Sequence, residues 1–257
     1  MKAIKAIIIL IFSIFTCLYL YFYAVAPLIT LNQINKFALA DSVFMRKHPI
    51  AAEYPNLMNQ LKEKAYLDAQ LTLAKSDSSG LVINLKDSTA LLVIKGVTLR
   101  VSKIDDIKQD RIFKGLNGPA YSKLFSKPLI CTSDSSTVVK APIEYHKAPK
   151  DTIEAMQQLR LPDSLVCEPG YYSLNLNRGI RLIMVQSEEW TTPEEIAVGE
   201  RFKSDMQRQN FFLYRIKDLI SKETPDYVPT IVLKTSKYNI RAIYRGLPDK
   251  VSVVLTY

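Results

Sequence analysis

From Ala6 to Asn35 the chain carries no charged side chain, and eleven Ile, Leu and Phe residues lie between Ile7 and Phe22. A run of this kind is the strongest constraint on the fold, because a water-soluble domain rarely leaves so much continuous apolar sequence near a terminus. Its length exceeds the apolar core of about 7–15 residues usual for a cleaved secretory signal. It reaches the ~20 residues needed to cross a ~30 Å hydrocarbon layer. Tyr19, Tyr21, Phe22 and Tyr23 cluster towards its far end, where aromatic rings favour the membrane–water boundary. Ala24 and Ala26 make an A-x-A site of the kind signal peptidase reads, so cleavage is the competing reading. Pro27 directly after that site fits an extended peptidase substrate poorly, since its ring removes a backbone donor. The expectation is a transmembrane signal anchor over residues 1–31. Lys2, Lys5 and the terminal amine precede the run, so positive-inside bias puts the amino terminus in the cytoplasm and the rest outside it.

Roughly 225 residues follow, enough for one good-sized core. The formal charge is +9, or +7 once Lys2 and Lys5 are set aside with the anchor. That balance favours anionic partners such as lipid head groups or an acidic envelope polymer. The charges are dispersed along the chain, the ordinary pattern of a solvated surface. No nucleic-acid-binding module is recognisable, so nucleic acid is not an expected partner.

Residues 32–79 read as a connector followed by a stalk helix. Pro49 and Pro55 discourage helix before them. From Asn56 to Lys75, Leu57, Leu61 and Ala65, then Leu67, Leu71 and Ala74, recur at helical spacing. The stretch is short of three clean heptads, so packing on its own domain is preferred to pairing with another chain.

Residues 80–257 read as an extracytoplasmic α+β domain, with a mainly antiparallel sheet and one long covering helix. Leu81, Ile83, Leu85, then Leu91 to Ile94, then Val97, Leu99 and Val101 mark three strands separated by Asp87-Ser88 and Lys95-Gly96. Tyr171–Leu176 and Ile180–Gln186 form a second hairpin across Asn177-Arg178-Gly179. Asp151 with Glu154 suggests a short capped helix. Thr192, Pro193 and Glu195 combine a hydroxyl cap, a proline at the first helical position and a capping-box acid. Phe202, Met206, Leu213, Ile216 and Ile220 then share one helix face. "TIVLK", "IRAIYR" and "KVSVVLTY" are read as three further short strands.

Signals for chemistry are sparse. Only His48 and His146 occur, neither at ligand spacing from a second histidine, so no metal site is expected. The eight glycines form no dinucleotide fingerprint, P-loop or nucleophile elbow, so no cofactor is expected. Gly115 and Gly118 in "KGLNGP" read as a turn. The acid pairs Asp105-Asp106, Glu188-Glu189 and Glu194-Glu195 are adjacent, and neighbouring side chains diverge on a strand or a helix. The His-Gly and Ser/Thr-x-Gly-Cys signatures of wall-modifying transpeptidases are absent. His146, beside Glu144 and Tyr145, is the one weak catalytic candidate.

Cys131 and Cys167 are the cysteines outside the anchor, and oxidation is permitted in a translocated domain. A disulfide between them and a pair of buried thiols are the two readings. Trp190 reads first as a local staple onto Ile196, with a partner contact as the alternative. Phe211 and Tyr214 in "NFFLY" place rings on more than one helix face and are candidate partner contacts too. The function expected is a single-pass envelope protein whose non-catalytic domain scaffolds or binds a protein or an anionic envelope polymer. The alternative is an envelope hydrolase or transferase with a dispersed site.

Overall fold

A computed structural model describes residues 2–21, 25–41, 55–140, 168–210 and 227–256. Among them, helices accompany a large mixed sheet, so the class is α+β. The charge-free run is divided between two helices, α1 (Lys2–Leu20) and α2 (Ala26–Asp41). Its portion in α1, from Ala6 to Leu20, is roughly 22 Å long at the α-helical rise, against a ~30 Å hydrocarbon layer. Among the described residues no helix is long and apolar enough to cross a membrane.

The helix expected from Asn56 is α3 (Pro55–Ala74). Its Ala65, Ala69 and Leu73 are buried, so it packs on its own domain. Strands β1 (Ser79–Asn84), β2 (Thr89–Ile94) and β3 (Val97–Lys103) follow as an antiparallel meander. The less patterned middle of the chain folds as β4 (Asp106–Gln109), α4 (Arg111–Lys114), α5 (Gly118–Phe125) and β5 (Leu129–Ser136). The expected second hairpin is β6 (Tyr171–Leu176) with β7 (Ile180–Gln186), paired from Tyr171↔Val185 to Leu176↔Ile180. The chain continues as α6 (Pro193–Asn210), β8 (Thr230–Thr235), α7 (Lys237–Gly246) and β9 (Ser252–Thr256).

The sheet order is β3-β2-β1-β9-β5-β6-β7-β8-β4. Two neighbouring pairs, β1 with β9 and β7 with β8, are parallel. Parallel neighbours require a crossover that hairpin signals do not announce, and α6 supplies it between β7 and β8. The carboxy-terminal β9 is inserted at the centre, and its Val253, Val254 and Leu255 are all buried, as a strand covered on both faces requires.

Along each central strand, alternate residues serve opposite faces. Leu81, Ile83, Leu182, Met184, Ile231, Leu233, Val253 and Leu255 join the main core with residues of α5 and α7. Their neighbours divide into two separate clusters on the other face. Val82, Val93 and Val254 pack under Ala69 and Leu73 of α3. Ile183, Val185 and Val232 pack under Trp190, Phe202 and Met206.

Two local expectations are corrected. "IRAIYR" is not a strand but part of α7, because Ile240, Ile243, Tyr244 and Leu247 also fit a helical stripe, and all four are buried. Ser236 caps that helix by accepting from the Asn239 amide at 3.3 Å. Trp190 does not staple to Ile196, which is exposed. Its indole lies instead on Gly199, where an added Cβ would stand about 3.0 Å from the ring and the indole would have to shift by a few tenths of an ångström. The Thr192 cap is present: its hydroxyl accepts from the Glu195 amide at 3.2 Å, and the Glu195 carboxylate accepts from the Thr191 and Thr192 amides at 2.8 and 3.2 Å. The helix expected from Asp151 and Glu154, and the face positions Leu213, Ile216 and Ile220, lie outside the described residues.

Candidate binding surfaces

Of the residues singled out for chemistry, Cys131 is buried on β5, and its thiol donates to the Ser133 carbonyl at 3.3 Å. Burial first, and Asp134 second, push that thiol's pKa up, which disfavours the nucleophilic thiolate. Cys167, His146, Phe211 and Tyr214 lie outside the described residues, as does any pairing of Cys131 with Cys167. Trp190 spends a ring face on Gly199 and joins the cluster under α6.

Two polar clusters sit beside the core, and each ties the protein to itself. The Tyr244 hydroxyl donates to Asp134 Oδ2 at 2.6 Å, the Tyr172 and Tyr244 rings lie 5.1 Å apart, and Lys140 Nζ stands 4.8 Å from the Tyr244 centroid. Burial, then the hydrogen bond and charge of Asp134, push the Tyr244 pKa up to about 12, so the phenol is a fixed donor at neutral pH. The second cluster joins α6 to α7: Lys237 Nζ donates to Glu195 Oε1, while the Lys237 amide donates to the Glu188 carboxylate at 2.9 Å. Lys237, opposing the burial and helped by the Thr191 and Thr192 amides, holds the Glu195 carboxyl at about 2. Among the described residues, no group of three or more His, Cys, Asp or Glu side chains is placed to hold a metal ion.

Two features face outward. The first is an apolar strip at one end of the sheet. Val97, Leu99 and Val101 on β3 are each between 57% and 64% exposed. Leu67 and Leu71 are exposed as well, on the face of α3 opposite the buried Ala65, Ala69 and Leu73. Among the described residues β3 has no strand beyond it in the sheet, and Val101 pairs with Leu91, which itself packs on the α3 cluster. A long edge strand with three exposed aliphatic side chains is a ready template for another chain.

The second is a basic cavity of about 530 Å³ between α2 and α5, lined by Ile34, Ala120, Lys123, Leu124, Lys127 and Arg178. A smaller cavity of about 170 Å³ shares Ile34, Leu124 and Arg178. One wall exists because α2 docks on the turn before α5. Leu31 lies where a Cβ on Gly115 would approach its Cδ2 to 2.5 Å, Asn35 Nδ2 donates to the Gly115 carbonyl at 3.3 Å, and the Asn117 amide donates to Asn35 Oδ1 at 3.1 Å. Asn117 Oδ1 in turn accepts from the Ala120 amide at 2.9 Å, capping α5. "KGLNGP" is therefore a turn that both seats α2 and starts α5.

Arg178 occupies the turn between β6 and β7 with φ +69°, a left-handed conformation uncommon for a residue with a side chain. Its guanidinium Nη1 donates to the Leu124 carbonyl at the end of α5, with the Lys127 carbonyl 3.5 Å away. It thereby satisfies a carbonyl that the helix end leaves open. The cavity's cations were legible in part, since no acid occurs between Asp110 and Asp134 while Arg111, Lys114, Lys123 and Lys127 do. Bringing Arg178 to them takes the tertiary fold.

No family model, no curated protein and no solved structure matches the chain.

Proposed function

We propose that this chain is a membrane-anchored, non-catalytic protein whose α+β domain binds or scaffolds another component at the cell envelope. The observation that carries the binding role is the exposed aliphatic edge of Val97, Leu99 and Val101 on β3, because an aliphatic edge of this length is costly to leave in water. The anchor rests on the charge-free run. Every side chain described between Ile9 and Cys17 on α1 is exposed, and a helix apolar all round belongs in an apolar medium. The charge-free sequence beyond Leu20 supplies the remaining length of a span, and Lys2 and Lys5 favour a cytoplasmic amino terminus with the domain outside. The partner is a protein, because paired edge strands exchange main-chain hydrogen bonds and pack alternate side chains, as β-strand addition does.

Site-directed photo-crosslinking in native membranes tests both parts. A crosslinker replacing Leu99 or Val97 is expected to give one discrete adduct that a crosslinker at exposed Lys86 does not give, in protein that resists alkaline extraction from the membrane. A monomer silent at both positions overturns the binding role, and quantitative release by alkali overturns the anchor.

A further inference from the structure

We infer that the β3 edge selects a partner strand carrying a carboxylate, which Arg100 receives. This rests on the reading of β3 as the binding edge and names the chemistry of what binds there. Among the described residues, the groups that hold the Arg100 guanidinium are neutral. Nε donates to Ser102 Oγ at 3.3 Å, Nη2 donates to Asn239 Oδ1 at 2.9 Å, and the Tyr238 ring centroid lies 4.7 Å away. Within the sheet its partner on β2 is Leu92, with Ala90 and Ile94 next on that face. Among the described residues no carboxylate forms an ion pair with Arg100, and the sequence from Val97 to Ile104 holds no acid.

The arginine is also fixed in place. Asn239 Nδ2 donates to the Thr235 hydroxyl at 3.2 Å, and that hydroxyl donates to the Lys103 carbonyl at 2.6 Å. A chain of hydrogen bonds therefore runs from Arg100 through α7 and the end of β8 back to β3. Its bonds leave Nη1 and the second Nη2 hydrogen for the two oxygens of a carboxylate, the geometry a guanidinium fork suits. Tyr238 is 69% exposed, so the pair stands at the surface, and Arg and Tyr are enriched among the side chains that anchor interfaces.

An added strand sets one residue directly opposite Arg100, on the same face and with Cβ atoms about 4.5–5.5 Å apart. The register with β2 skips Leu99, between Thr98↔Val93 and Arg100↔Leu92, and a bulge of this kind re-aims the side chains beside it. Val97, opposite Ile94, thus shares a face with Arg100, while Val101, opposite Leu91, lies on the other. The fitting partner is an extended segment with one acid flanked by aliphatic residues on both faces. An anionic polymer without a peptide backbone would meet Arg100 but make no main-chain bonds with the edge.

Full-length protein in neutral maltoside micelles can be titrated, by fluorescence anisotropy, with short end-capped peptides of valine and serine whose central residue, between valines, is glutamate, glutamine or lysine. The glutamate peptide is expected to bind at least about tenfold more tightly than the glutamine peptide, as one charge-assisted bond predicts. Arg100→Gln should erase that preference and leave binding of the glutamine peptide unchanged. Lys86→Gln, the same loss of charge at an exposed position between β1 and β2, should keep it. Arg100→Glu should turn the preference towards the lysine peptide, a gain that misfolding cannot imitate. Peptides that bind alike to the native protein, or a glutamate preference that survives Arg100→Gln, overturn the carboxylate assignment and leave the edge reading standing. Binding of no peptide, or glutamine-peptide binding that Leu99→Lys does not weaken, overturns the edge itself and this inference with it.

Discussion

The two ends of the sheet solve the same problem differently. At one end α6 covers Ile183, Val185 and Val232, and the edge strand beyond is β4, which has four residues including Asp106 and Lys108. At the other end α3 covers Val82, Val93 and Val254, and the edge strand is β3, which has seven residues with Val97, Leu99 and Val101 exposed. Short, charged edges discourage pairing and long apolar ones invite it. The α6 end is also locked by the buried Glu195 with Lys237, by Glu188 and by the Thr192 cap, whereas the polar ties at the α3 end include the exposed pair of Lys95 with Asp77 and the bond from Arg100 of β3 to Asn239. One end is finished within the chain. The other leaves aliphatic side chains in solvent.

The largest expected effect falls on the locked end. Glu195→Ala removes one member of a buried pair, leaves Lys237 without its main carboxylate and dismantles the capping box. The expected loss is about 4 kcal/mol by urea unfolding. The same carboxylate gives a pH signature. Its pKa is lowered from an ordinary 4.5 to about 2, so its contribution is complete above 4.5 and is lost as pH falls towards 2. The native protein should therefore lose stability steeply in that window, and Glu195→Ala should flatten the slope. Equal acid sensitivity of the two proteins would remove the lock from the comparison.

Next comes packing at the open end. Leu73→Ala deletes a leucine that is 4% exposed on the sheet-facing side of α3, for an expected loss of about 3 kcal/mol. A cost similar to that of an exposed site would mean that α3 does not hold the sheet. Thr192→Ala should be milder, about 1 kcal/mol, because Glu195 can still accept from the neighbouring amides. An unchanged denaturation midpoint would place the start of α6 under tertiary control instead.

The same contrast explains what could be read from residues alone. Strands β1 to β3, the β6–β7 hairpin and the cap of α6 are local patterns, with alternation, turn residues and an i to i+3 capping pair, and each was legible. The neighbours of β9 were not. "VSVVLTY" has apolar residues on both faces, which signals burial, yet nothing in it names β1 and β5 as partners. α7 was missed because "IRAIYR" satisfies period two and period 3.6 together over so few residues; Ser236 as a cap was the deciding clue. α2 was hidden by its own composition, since a charge-free run reads as membrane before it reads as a helix that Leu31 and Asn35 dock on a domain. Of the candidate surfaces, Val97, Leu99 and Val101 stood in plain alternation, but their exposure depends on β3 being an edge. The cavity's Lys123 and Lys127 were visible in an acid-free stretch. Arg178 joins them only through the fold.

The smallest expected change in stability is the sharpest test of the open edge. Leu99→Lys alters a side chain that is 57% exposed, so the isolated protein should keep its unfolding free energy within about 0.5 kcal/mol. The same substitution places a charge in the middle of an edge strand, the device by which natural sheets block pairing. Binding across β3 should fall sharply while folding does not, read as loss of the discrete adduct from a crosslinker at Val97 in native membranes. Lys108→Leu on β4 is the matching control: that strand has only four residues beside a covered end, so the crosslinks at Val97 should persist. If Leu99→Lys destabilises by as much as Leu73→Ala, then Leu99 is covered within the protomer and the two ends of the sheet are alike. If it neither destabilises nor disturbs the adduct, no strand is added at β3 and the open edge has no part in binding.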